Sequence, residues 1–224
     1  GGWPREGFRP LIWGFRVALV SGRIAMSDVP GATAVALALW LTWRARDGDW
    51  KVAVAAGLIA GATSLFRETN LLLVAPFVVG ALVRGACVRW ALVAGFVAGI
   101  GLRLELSELV FGAATYVRDG GYDFSLASLV ENAPAWGVIL LVMFPAGALV
   151  MRLYRGPLRP EFLTACVSYV GIFLMYDYHA LTENGLLRGL IVTSRYAIPA
   201  LPLLTVMAAD VGGRWGGVRW FVWP

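Results

Sequence analysis

Four residues in an otherwise apolar chain are placed to do polar chemistry. They are Asp28 in "GRIAMSDVPGATAVALALWL", Arg67 in "SLFRETNLLLVAP", and Arg195 with Tyr196 in "VTSRYAIPALPLL". A carboxylate at the mouth of an apolar run can orient a hydroxyl or act as a base. Arginine presents a planar fork of donors that matches phosphate oxygens. An ionisable group at membrane depth is costly, so it is a functional candidate by default. Each position also has a structural role available. Ser27 or Asp28 can cap a helix starting near residue 29, with Pro30 in its first turn and the carboxylate on the positive end of the dipole. Arg67 can pair with Glu68 in a tight turn, with Thr69 or Asn70 capping the next helix. Arg195 and Tyr196 can be an interfacial anchor pair. The sequence leaves both roles open at each position.

Other chemistry is thin. "MYDYHALTENG" supplies Asp177 and His179, but one imidazole and one carboxylate make a weak metal site. Cys87 and Cys166 show no C-x-x-C or metal spacing and read as two buried thiols. No phosphate loop, H-E-x-x-H or nucleophile elbow occurs.

The elements that must position these residues are apolar helices. The chain is 59% hydrophobic with a mean hydropathy of +0.72, and it carries 10 Trp and 27 Gly. That composition predicts an all-α, polytopic transmembrane bundle, with Trp at the interfaces and Gly at close helix contacts. The net charge of +5 is then a record of basic cytoplasmic loops, not a sign of a nucleic-acid partner. Seven membrane helices are expected at 29–43, 51–66, 70–87, 90–110, 136–151, 162–178 and 195–211. Residues 9–26 read as an interfacial helix or partial span, and 103–135 as an external loop. That loop holds a short helix, a Gly-Gly turn at 118–123 and a second helix that ends before Pro134.

Charge orients this arrangement. The loops 44–51, 84–89, 152–161 and 210–219 hold ten basic residues and four acids, and the opposite loops hold five basic residues and eight acids. The basic set is therefore cytoplasmic, which puts Asp28, Arg67 and Arg195 together on the external side. "GLIAG" (Gly57, Gly61) and "GFVAG" (Gly95, Gly99) are small-xxx-small patterns, expected to pack within the chain. The chain opens on "GGWPREGF" without methionine and ends in "RWFVWP", so 1–224 is read as one transmembrane domain of a longer protein.

Taken in order, three segments resemble the GT-C superfamily of polytopic glycosyltransferases, which includes protein O-mannosyltransferases and aminoarabinose transferases. "GRIAMSDVPGATAVALALWL" is similar to its acidic helix-opening segment. "AAGLIAGATSLFRETNLLLVAP" is similar to its small-residue helix followed by a basic residue. "SRYAIPALPLLTVMAA" is similar to its R-Y-x-x-P-x-x-P element. The resemblance implies a bacterial inner-membrane enzyme that transfers a sugar from a polyprenyl-phosphate donor to an acceptor on the external face. It implies that Arg67, Arg195 and Tyr196 bind the donor phosphate and that Asp28 plays a supporting part. It also implies that the catalytic acid lies in a first external loop upstream of this chain, leaving the chain alone inactive. No cofactor is expected in the chain itself, and a divalent metal is left open for the complete enzyme. Sugar, acceptor and oligomeric state stay open. The alternatives are a membrane transporter or lipid flippase without glycosyl transfer, or a scaffold in which the motifs are only caps and anchors.

Overall fold

The computed structural model describes residues 28–85, 87–114, 124–143, 147–176 and 195–214. The expected interfacial stretch 9–26, the Gly-Gly turn and the pair Asp177 and His179 lie outside the described residues. The fold is all-α. Among the described residues eight α-helices follow one another: α1 Asp28–Arg44, α2 Trp50–Ala62, α3 Leu71–Val83, α4 Arg89–Phe111, α5 Leu126–Met143, α6 Gly147–Leu153, α7 Arg159–Leu174 and α8 Leu201–Arg214. Short 3-10 turns at Ala45–Asp47, Thr63–Leu65, Glu68–Asn70 and Arg195–Ala200 join or open them.

Local chemistry sets the ends. Asp49 caps α2 by accepting from the amides of Lys51 (2.9 Å) and Val52 (3.3 Å). Gly48, at φ 94°, makes the left-handed turn that lets α1 fold back into α2. Hydroxyls inside the helices return their protons to their own backbone. Thr42 donates to Ala38 O, Thr63 to Ala60 O and Ser64 to Gly61 O.

The tightest packing is between α2 and α4. A Cβ placed on Gly57 would sit 2.0 Å from Leu92 O, and one on Gly61 would sit 2.3 Å from Phe96 O. The reverse holds for Gly95 against Val54 O (2.2 Å) and Gly99 against Leu58 O (2.3 Å). The two small-residue patterns therefore meet each other within the chain, as expected, and bring two backbones into contact. Their register runs in the same direction, so α2 and α4 are parallel, and α3 supplies the return connection from the end of one to the start of the other. One large core then joins α1, α3, α5, α7 and α8 through Val35, Leu73, Ile139, Phe162, Tyr169 and Leu203.

Two described helical segments are long and apolar enough to cross a bilayer, Arg89–Val110 and Tyr196–Gly213. In the first, only 17% of the apolar window is buried, the reverse of a soluble protein's core helix. No other described helix meets both criteria, so among the described residues there are two candidate spans, and the seven expected from the sequence are not confirmed. Several boundaries also differ. The 103–135 stretch is not a loop with separate short helices at its start, because α4 runs unbroken to Phe111. The expected stop before Pro134 does not occur, and α5 passes through it. Proline forfeits one backbone bond, whereas the continuous helix puts Ser128, Asn132, Trp136 and Ile139 on one buried face toward α7. The helix expected at 136–151 is described as helical over 136–143 in α5 and 147–151 in α6, and residues 144–146 lie outside the described residues. Cys166 is buried as expected, but Cys87 is exposed because it sits in the turn between α3 and α4.

The bundle has two distinct ends. Arg84 at the foot of α3 pairs with Glu161 in the first turn of α7, and the Gly48 turn lies beside Cys87. These contacts gather the loops 44–51, 84–89 and 152–161 at one end. At the other end Arg103 pairs with Glu68, and the three candidate segments come together.

Candidate functional site

Asp28 opens α1 and is buried, its side chain 1% exposed. Arg67 is the pivot between the 3-10 turn ending α2 and the one opening α3. Its extended backbone (φ −164°, ψ 130°) turns the side chain away from the sequence neighbour Glu68. Glu68 pairs with Arg103 instead, and Arg67 Nη1 faces Asp28 Oδ1 at 3.3 Å. The expected Arg67–Glu68 pair is therefore replaced by a longer-range one. Ion pairing with a buried carboxylate compensates part of the cost of taking Asp28 out of water.

Tyr196 covers the arginine. The guanidinium carbon lies 4.5 Å from the Tyr196 ring centroid, within cation–π range. Tyr196 sits in the 3-10 turn Arg195–Ala200, which leads through Pro199 into α8. The turn is tied down by Tyr169 of α7, whose hydroxyl donates to Tyr196 O at 2.8 Å. Arg195 begins that same turn, and its side chain lies outside the described set. Thus Asp28, Arg67 and Tyr196 form one contiguous cluster, and the backbone of Arg195 adjoins it.

Asn70 and Tyr169 belong to the cluster too, and sequence reasoning did not single out either in this role. Neither Asn70 nor Thr69 caps α3. Asn70 is fully buried, and its amide donates to Thr63 O at 3.3 Å, closing the turn that carries Arg67. Its Oδ1 is buried with no hydrogen-bond partner among the described residues. The signal for Tyr169 was its phenol inside the apolar run "ACVSYVGIFL", since a buried tyrosine hydroxyl needs an acceptor. Below the arginine an aromatic row continues. Tyr196 stacks on Phe173 (5.3 Å), which stacks on Trp136 (5.5 Å) and contacts Tyr176 (5.7 Å). Asn132 fixes the end of α7 by donating to Leu174 O and Tyr176 O. Burial pushes the Tyr176 phenol above its ordinary range, with the Arg67 guanidinium pulling it back.

The cluster is a cation held on two sides, by a carboxylate and by an aromatic face, with 23% of its side chain still open. Such a group can bind an anion. It is a poor place for a general base, because Asp28 is buried and faces the guanidinium. Among the described residues no three His, Cys, Asp or Glu side chains group as a metal site. Compared with family models, curated proteins and solved structures, the chain matches none.

Proposed function

We propose that the chain is the membrane-embedded part of a glycosyltransferase that uses a polyprenyl-phosphate-linked sugar. The observation that carries this reading is the meeting of Asp28, Arg67 and Tyr196 at one end of the bundle, from three segments far apart in sequence. A guanidinium has five N–H donors, and Asp28 faces one nitrogen of Arg67. The donors that Asp28 and the Tyr169 hydroxyl leave open suit the phosphate oxygens of the donor, joined by Arg195 from the adjoining turn. In the reaction an acceptor hydroxyl oxygen attacks the anomeric carbon as the bond from that carbon to the phosphate oxygen breaks. The hydroxyl proton passes to a base, and the polyprenyl phosphate leaves carrying the negative charge. Arg67 and Arg195 stabilise that charge where it develops, which is where a preorganised cation helps most. Asp28 orients Arg67 and is not the base. In this reading the site faces the external side of a bacterial inner membrane, and the charge asymmetry of the loops supports a cytoplasmic position for the basic end.

The test is donor binding and sugar transfer by the full-length protein in proteoliposomes. Arg67→Lys keeps the charge and loses the fork, and is expected to weaken polyprenyl-phosphate binding about 10-fold. Arg67→Ala and Arg195→Ala are expected to weaken it further. If both alanine variants bind donor and transfer sugar like the parent, the phosphate assignment is wrong.

A further inference from the structure

The end of the bundle opposite the site carries a feature that glycosyl transfer does not use. Five tryptophans fall among the described residues. One, Trp136, is buried in the core, and the other four are at this end and exposed: Trp40 (50%), Trp43 (39%), Trp50 (60%) and Trp90 (67%). Each has a basic side chain over its ring. Arg44 lies 5.8 Å from the Trp40 centroid, Arg46 4.7 Å from Trp43, Lys51 5.9 Å from Trp50 and Arg89 5.7 Å from Trp90.

The fold sets these pairs at one level. The parallel glycine contact between α2 and α4 fixes their register. Carried back along both helices, that register brings the first turn of α2, with Trp50 and Lys51, beside the first turn of α4, with Arg89 and Trp90. The last turns of α1, with Trp40, Trp43 and Arg44, meet α2 through the Gly48 turn. The nearby acids are largely committed. Asp49 is the cap of α2, and Glu161 is paired with Arg84. Asp47 is left against Arg44, Arg46, Lys51 and Arg89. The end therefore presents amphipathic rings at one depth with excess cations beside them. Indole rings prefer the headgroup level of a bilayer, and cations at that level attract anionic lipid.

We propose that this Trp–basic collar is a binding surface for the headgroups of anionic phospholipids. The inference rests on the bundle lying in a membrane, and not on the sugar-transfer chemistry.

The test uses the protein reconstituted in bilayers with dibrominated phosphatidylglycerol or dibrominated phosphatidylcholine at equal mole fraction, read by quenching of tryptophan fluorescence. Flotation on a density gradient establishes insertion. The anionic lipid is expected to associate with the protein about fivefold more strongly than the zwitterionic one, the scale set by one basic residue near a charged surface. Half-molar salt is expected to shrink that preference. The variant Arg44→Gln, Arg46→Gln, Lys51→Gln, Arg89→Gln is expected to abolish it. The charge-preserving variant Arg44→Lys, Arg46→Lys, Arg89→Lys is expected to retain it, which guards against general damage. Equal quenching by both lipids in the parent protein overturns the proposal, as does a preference that survives the four glutamine changes. A saturable, lipid-independent capture of a soluble protein by the collar also overturns it. Failure to float overturns the membrane placement as well, whereas loss of lipid preference leaves sugar transfer untouched.

Discussion

The pair Asp28 and Arg67 makes a quantitative demand. The two charges are 3.3 Å apart, with the carboxylate side chain 1% exposed and the guanidinium 23% exposed. At an effective dielectric near 20 their attraction is about 5 kcal/mol, and the desolvation of Asp28 offsets much of it. Removing one partner leaves the other stranded. Arg67→Met abandons a buried carboxylate and is expected to destabilise the fold by about 3–5 kcal/mol. Asp28→Asn keeps the shape and leaves Arg67 with its partial access to water, so its cost is about 1–2 kcal/mol. The double variant has no buried charge to strand. Its cost should fall short of the sum of the singles by at least about 2 kcal/mol. Equilibrium unfolding in mixed micelles, followed by far-ultraviolet circular dichroism as SDS is titrated, measures all four corners of the cycle. A coupling below about 0.5 kcal/mol, the scale of additivity for unconnected sites, would refute the pairing. It would also remove the physical basis for a preorganised cation at this end.

Three further outcomes follow from the packing. Gly57→Ala must force Leu92 O and Phe96 N away from 2.0 and 2.6 Å and should cost about 1–3 kcal/mol, whereas Gly101→Ala meets nothing within 4 Å and should be neutral or stabilising by up to about 1 kcal/mol, both read by the same unfolding assay. A Cβ on Gly80 would lie 2.1 Å from Glu161 Oε1, so Gly80→Ala should displace the carboxylate that pairs with Arg84, and its cost measured by unfolding should be smaller in the Glu161→Ala background than in the parent. Cys87 is exposed and Cys166 buried, so a membrane-impermeant maleimide should label one cysteine in the folded protein and two after unfolding; with the proposed orientation the single label appears in inside-out vesicles and is absent in right-side-out ones.

Sequence legibility followed a physical divide. Residues at helix ends were readable because a chain that crosses the bundle alternately returns to the same end. That alternation, read with the loop charges, put Asp28, Arg67 and Arg195 at one end, and the contacts bring Asp28 and Arg67 together there with Tyr196, the neighbour of Arg195. The choice of partner was not readable, because it depends on one backbone pivot. At φ −164° Arg67 swings past Glu68, its neighbour in sequence, and reaches a carboxylate 39 residues earlier. Asn70 was readable only as a cap, the commonest use of its type. Its actual bond to Thr63 O depends on how tightly the turn closes. Prolines misled in a similar way. Pro134 marks a boundary in a solvated chain, but here a buried face on both sides of it outweighs one missing backbone bond.

The glycines explain how a short turn can hold a buried cation. Gly57 and Gly61 seat the end of α2 against α4 at backbone contact, which fixes where the turn at 63–70 begins. Gly31 of α1 gives way on the other side, since a Cβ there would lie 2.8 Å from the Asn70 amide and 3.4 Å from Phe66 Cβ. The turn is thus gripped from two sides at positions without side chains, and Asn70 closes it from within. Arg67 stands at its pivot and has little freedom to follow a solvated path. Its pairing with Asp28 therefore needs little further ordering of the backbone, and the entropy of fixing a long arginine side chain is offset in part by the face of Tyr196. Small residues in the helices and the charge at the turn are parts of one device: close helix contact fixes the turn, and the fixed turn presents the cation.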